Sequence, residues 1–584
     1  MNYQTTKWPI FHPNRNLVVW LILFVANFSS MAQGTAEHGF NYLAEHQYKS
    51  ARNCFQQHLK SQPGDVEAQL GLGNSLLALN AVDSAKWVFQ KILAVNAQNP
   101  FALAGMGIVS LLNKDRENEA AFFERARRAD KTNPDIYCSI AEGCIRFSRQ
   151  DTVSALVYLR QGLDLFPKFA KLHLAMGRLE ALKRSYGAAL NAFNRANFFD
   201  PLSAIAYRES GKLELRSNAF QDALHSLNKS IALQPDQILG YKYLGDLYYS
   251  TGKFAEAENA YQTYLERADV TIDDEERFAI TLFFNKKYKE AETLLERVMT
   301  ESGRESVLLR IRGYIACETG DVQNGLTLLN RFFQLHDPQR VIASDFGYYA
   351  RLLQMSGKES LAIDNLRKAI ALDPNNKDFL EELAKLASKN RLHPEAATCY
   401  TKLMGLGADR SIYNFLLGKE FYFEGELLRV KYDSLMRLNK TSKIAFADSI
   451  AVKNEMRVNY LKADTAFTVV SRLNTTYAGG YIWKGRIQSI LDPEATTFTA
   501  KENYQKALAI LEKGDLSRNQ KSIIECYKYL GSYYYLGYER YYLSDKVLSA
   551  EMRSKCIECF TKILSLDPSD PQAKDVLSKM KAIK

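Results

Sequence analysis

Bulky, apolar and small residues recur along this chain with a period near 34. Tyr241, Leu244, Gly245 and Tyr248 are followed by Gly252 and Phe254, then by Ala257, Tyr261 and Tyr264. One period earlier stand Tyr207, Gly211, Phe220, Ala223 and Leu227, and two periods earlier His173, Gly177, Tyr186, Ala189, Phe193 and Ala196. Within a period the fourth, seventh and eleventh places fall at i, i+3 and i+7, one face of a helix. The twentieth, twenty-fourth and twenty-seventh places do the same for a second helix. Gly and Ala hold the eighth and twentieth places, where two helices approach too closely for a larger side chain. A glycine near the fifteenth place suits the tight turn between them, because positive φ costs it little. Prolines at 63, 100, 134, 167, 201 and 235 keep the same spacing, and those at 338, 374 and 568 resume its phase. A helix cannot run through proline, so each is expected to close a hairpin. A period of this length marks a helical solenoid, in which each hairpin buries its apolar faces against its neighbours.

This order of residues (bulky, Leu-Gly, Tyr, Gly, Ala, aromatic, Ala, closing Pro) resembles the tetratricopeptide repeat. Running the phase outward gives fourteen such periods between residue 34 and about residue 570. The resemblance implies an all-α, right-handed α-solenoid of about fourteen helical hairpins. The expected organisation is a leader over 1–32 and a regular solenoid of about eleven repeats over 33–409. C-terminal repeats follow over 410–572, with helical insertions at about 425–457 and 536–550, and a polar cap covers 573–584. The insertion at 425–457 reads as one repeat with both helices lengthened, similar to stretched repeats of exported bacterial tetratricopeptide proteins.

Composition changes the picture in two places. The aromatic content of 12% excludes a disordered chain. The net charge of +10 over 584 residues is too dilute to indicate a nucleic-acid binder. At the amino terminus a polar, basic stretch precedes the apolar run Leu17–Phe28, and Ser30 and Ala32 supply the small residues of a signal-peptidase site. Cleavage after Ala32 and export to the periplasm or cell surface are therefore expected. No other apolar stretch reaches the length of a membrane span.

Candidate chemistry is sparse. Cys556 and Cys559 have redox-motif spacing but fall inside a second-helix pattern, where a thioredoxin-like site would need a strand entering a helix. His173 occupies a bulky core place, and the other histidines are scattered. Asp273-Asp-Glu-Glu276 opens a first helix, where acidic side chains stabilise the orphan amides. No nucleophile elbow, phosphate loop or zinc-ligand set occurs, so no enzyme, cofactor or metal is expected.

In the resembling family the first helices line a concave groove. The places that face it carry Lys171 and Arg178, then Arg208, Lys212 and Arg216, then Lys242, Asp246 and Tyr249. Arg310, Tyr314 and Arg351 follow, with Lys385, Lys389, Lys419, Arg486 and Lys528 farther along. Family members that clamp a terminal carboxylate add Asn residues, and here Asn74 alone holds the ninth place. The expected partner is a protein or an extended anionic peptide. Binding of a glycan or envelope polymer, and service as an accessory subunit of an envelope enzyme or secretion complex, are the alternatives.

Overall fold

The computed structural model describes residues 36–147, 152–302, 305–438, 444–497 and 499–582. The leader and its cleavage point lie outside them. Every element is helical apart from turns. The order begins α1 Ala36–Ala44, α2 Tyr48–Ser61, α3 Val66–Ala78, α4 Val82–Val95, α5 Pro100–Leu112, α6 Arg116–Ala129, α7 Pro134–Phe147 and α8 Thr152–Leu165. It continues α9 Ala170–Leu182, α10 Tyr186–Phe199, α11 Ala204–Arg216, α12 Phe220–Leu233, α13 Ile238–Ser250, α14 Phe254–Leu265, α15 Ile272–Phe284 and α16 Tyr288–Ser302. Then come α17 Glu305–Thr319, α18 Val322–Leu335, α19 Ala343–Met355, α20 Glu359–Leu372, α21 Lys377–Lys389 and α22 His393–Gly405. The last are α23 Arg410–Leu438, α24 Ile444–Leu473, α25 Ala478–Leu491, α26 Thr499–Leu511, α27 Leu516–Tyr541, α28 Lys546–Leu566 and α29 Pro571–Ala582. Among the described residues, consecutive helices follow one another as fourteen hairpins, α1 with α2 through α27 with α28, and α29 comes last. The hairpins fall into two compact units, one ending at Glu305 and one beginning at Ser306.

The close helix approach expected of the small residues is visible atom by atom. A Cβ on Gly73 would lie 2.4 Å from the Phe89 ring, and one on Gly107 would lie 2.3 Å from Phe123. The same sixteen-residue step joins Gly39 to Phe55, Gly177 to Phe193, Gly245 to Tyr261 and Gly313 to Leu329. Rings also reach forward: Phe55 fills the space beside Gly71, and Phe89 that beside Gly105. Phe55 and Phe89 thus each fasten their own hairpin to the next.

The turn inside a hairpin is a Schellman motif. Asn80 N–H donates to Leu77 O and Ala81 N–H to Leu76 O, with Asn80 at φ 60°. Gly252, Gly320 and Gly357 take this place as expected, while His46, Asn80, Lys114, Arg184, Asn218, Lys286 and Arg391 adopt positive φ without being glycine. The turn's two hydrogen bonds offset the strain those side chains incur. Two prolines depart from the expectation that each closes a hairpin. Pro100 and Pro134 begin α5 and α7, where the missing N–H is one that no helical carbonyl would take. Pro63, Pro167, Pro201, Pro235, Pro374 and Pro568 lie in turns between hairpins.

In the second unit, α23 and α24 run for 29 and 30 residues and pair along their lengths. Gly418 meets the Phe467 ring and Gly425 meets Tyr460, so the glycine–ring contact is repeated within the lengthened hairpin. The closing segment is more than a polar cap, since α29 buries Ala573, Leu577 and Met580.

Substituting Gly71→Ala tests the close approach, because its new methyl would sit 2.3 Å from the buried Phe55 ring. Helix propensity favours Ala by about 1 kcal/mol, but overpacking of a fixed ring costs about 1–3 kcal/mol. The expected net result is a lower melting temperature. Gly64→Ala, with no atom within 4 Å of the new methyl, should leave it nearly unchanged.

Candidate anion-binding cavity

The first helices of the first unit stand side by side, and Lys171, Arg178, Lys242 and Arg277 meet acids of the adjacent hairpin. Lys171 Nζ donates to Asp135 Oδ1 at 2.8 Å. Lys242 Nζ reaches Asp274 Oδ1 at 2.5 Å, and Arg277 Nη1 reaches Asp246 Oδ1 at 2.5 Å. In the second unit Arg310 pairs with the buried Asp345, and Arg351 donates through Nε and Nη2 to Glu382 Oε1. Tyr249 packs edge-on against Phe254 and Phe284, both at 5.8 Å between ring centroids. The cations Lys171, Lys242, Arg310 and Arg351, read from the sequence as groove contacts, therefore hold neighbouring hairpins together.

Arg208 departs furthest from that reading. It is 0% exposed, and its Nη1 donates to Glu45 Oε1 in the α1–α2 turn at 2.5 Å. A groove residue open to a partner was expected here, and the first hairpin covers it instead.

A different outcome holds around Arg178, Lys212 and Arg216. They line a cavity of about 330 Å³ together with His46, Tyr48, Glu142, Arg146 and Glu209. Leu182, Leu213 and Phe193 supply apolar wall. Arg178 bridges two acids, donating from Nη1 to Glu142 Oε1 at 2.7 Å and from Nη2 to Glu209 Oε1 at 3.1 Å. Lys212 lies 3.7 Å from Glu209 and over the Tyr243 ring. Arg146 is exposed above the Tyr48 ring at 5.7 Å, and Arg216 is exposed at the end of α11. Four cations thus face two carboxylates, leaving a local excess of two positive charges.

Burial alone would raise Glu209, but Arg178, then Lys212 and Arg208, outweigh it and hold its carboxyl well below the usual range. Loss of hydration, followed by the charges of Arg146 and Arg208, lowers His46 to about 3, so its imidazole is neutral at physiological pH. Guanidinium groups at the cavity wall are suited to carboxylate or another oxyanion.

The remaining candidates stay structural. His173 is buried, with Nε2 2.8 Å from Pro167 O and its ring stacked on Phe199. All eight cysteines are buried, and burial raises Cys556 to about 11 and Cys559 to about 12, which keeps these thiols protonated. Asp274 closes a capping box with Thr271 at the start of α15.

Sequence profiles described as tetratricopeptide repeat match residues 42–106 and 208–270. Both stretches carry the glycine–ring step and the Schellman turns described above. The chain carries tetratricopeptide repeats. Anaphase-promoting complex subunit 3 of Schizosaccharomyces pombe is 24% identical over 172 residues, 30% of this chain and 26% of that protein. This tetratricopeptide chain thus spans about a quarter of that curated relative. Among solved structures, the C-terminal part of a TPR repeat-containing protein from Cytophaga hutchinsonii aligns at 22% identity over 52% of this chain and 99% of that one, with a TM-score of 0.36. Pseudomonas aeruginosa PilF aligns at 14% identity over 36% of this chain and 94% of its own, with a TM-score of 0.31.

Sequence reasoning missed Glu45, His46, Tyr48, Glu142, Arg146 and Glu209. For Glu142 and Glu209 a signal existed: they stand 36 and 31 residues from Arg178, one repeat away on either side. For the α1–α2 turn no periodic signal existed, because its contact crosses 163 residues.

Acid should weaken the first unit in two steps. Below the ordinary His46 value of 6.5 the unfolded chain takes a proton that the folded chain refuses down to about 3. Glu209 is lowered in the folded chain, so its contribution is complete above its ordinary value of 4.5 and is lost as pH falls below it. Urea midpoints measured across this range should decline in both arms. His46→Asn should flatten the upper arm and Glu209→Gln the lower; parallel curves for all three proteins would contradict the assignment.

Proposed function

We propose that this tetratricopeptide-repeat protein is an exported, non-catalytic scaffold that holds an acidic segment of a partner protein in the cavity of its first unit. The carrying observation is the excess of cation there: Arg146 and Arg216 are exposed beside Arg178 and Lys212, while Lys171, Lys242, Arg310 and Arg351 each pair with an acid of the adjacent hairpin. Tetratricopeptide repeats serve protein–protein interaction, and cations gathered at one cavity favour an extended acidic segment. Export rests on the leader, with its apolar run Leu17–Phe28 and small residues at Ser30 and Ala32. Among the described residues no helix is long and apolar enough to cross a membrane.

The test is titration of a fluorescein-labelled hexaglutamate peptide into the mature protein, whose mass should correspond to a chain beginning at Gln33. Lys212→Glu with Arg216→Glu should weaken binding by at least about tenfold, equivalent to about 1.4 kcal/mol. Because Lys212 helps to hold the buried Glu209 ionised, the double variant should also melt lower, whereas Arg216→Glu alone, at an exposed position, should weaken binding with little change in melting temperature. Affinity unaffected by the reversal and by added salt would refute the cavity as the site.

A further inference from the structure

The first hairpin is held in two different ways. Toward the second hairpin it is packed: Ala51, Phe55 and Ala68 form one apolar cluster, and Phe55 fills the space beside Gly71. Toward the far side of the unit the contacts are polar. Glu45, in the α1–α2 turn and 6% exposed, receives Arg208 Nη1 on Oε1 and the Leu239 backbone N–H on Oε2 at 2.9 Å. Arg208 Nη2 lies 3.5 Å from Ala44 O. The amino terminus of α2 has no cap from its own Gln47; instead Asp269, from the turn before α15, accepts Lys49 N–H at 2.7 Å, Ser50 N–H at 3.1 Å and Ser50 Oγ at 2.6 Å. His46 and Tyr48, between these two attachments, form part of the cavity wall.

An apolar hinge with a charged fastening can open without unfolding. Breaking a buried ion pair is costly when one charge stays buried alone, but swinging the α1–α2 turn away returns both Glu45 and Arg208 to water. A ligand carboxylate offered to the same guanidinium lowers that cost further. Glu45 already shows what such a ligand would receive: a guanidinium on one oxygen and a backbone amide on the other.

We propose that the first hairpin is a releasable latch in which Glu45 stands in for an acidic side chain of the partner, whose carboxylates displace it from Arg208 and open the cavity. The proposal rests on the cavity being the partner site and adds its regulation. Binding is then weakened by the fraction of molecules that are latched, and loosening the latch raises apparent affinity.

Full-length mature protein and labelled hexaglutamate provide the test. Asp269→Ala loosens the latch at a residue that does not line the cavity, and should tighten hexaglutamate binding by about tenfold. Glu45→Gln should act in the same direction. Ser50→Cys combined with Asp269→Cys, oxidised to a disulfide, should weaken binding at least about tenfold, with recovery on reduction. In the wild type, peptide addition should speed amide exchange over residues 45–61, where Lys49 and Ser50 amides are held by Asp269. Equal affinity across all variants, with exchange in that segment unchanged or slowed, would overturn the latch and leave the cavity standing. Failure of every variant to bind would remove the cavity reading and the latch with it.

Discussion

A glycine in the first helix of a hairpin, pressed against a side chain sixteen residues later, sets the geometry of this protein. The pair brings two helix axes as close as backbone and ring allow, and the ring's far face then seats the next first helix. Phe89 between Gly73 and Gly105 shows both contacts in one residue. Where alanine replaces the glycine, as at Ala279, Ala350 and Ala384, the partners sixteen residues on are Leu295, Leu366 and Tyr400, all buried. Repetition of this contact fixes the register between neighbours, so that a side chain one repeat away in sequence is an immediate neighbour in space.

That register determines what the surface charges do. A cation on one first helix meets an acid 31 to 36 residues away on the next, as in Lys171–Asp135, Arg178–Glu142, Arg277–Asp246 and Arg351–Glu382. Exposed pairs of this kind contribute about 0.2–1 kcal/mol each, small singly but directed along the series. Their larger consequence is for recognition: a guanidinium already holding a carboxylate has less to offer a second one. Excess positive charge remains where Arg146, Arg178, Lys212 and Arg216 surround only Glu142 and Glu209. The first hairpin, closing over Arg208, contributes His46 and Tyr48 to the cavity wall.

The periodic features of the sequence were legible because each repeats a single physical demand. Small residues mark close helix approach, and bulky residues three and four apart mark buried faces. The lengthened hairpin α23–α24 was readable from apolar spacing alone. Position within the turn was less readable: Pro100 and Pro134 start helices while other prolines precede them, since proline is compatible with both places. The α1–α2 turn was not readable at all. Glu45 pairs with a residue 163 positions away, and no local pattern carries that contact. Consequently Arg208 read as a groove cation although it is enclosed.

The central claim is that inter-hairpin pairing confines acidic-partner recognition to one cavity. It is tested most directly by photocrosslinking a benzophenone-bearing acidic peptide to the native protein and mapping the adducts. Adducts should concentrate on residues 142–146, 178–182 and 209–216, the segments that line the cavity. Adducts distributed along the first helices, at Arg310, Arg351 and Arg486 as often as at Arg178 and Lys212, would contradict the account.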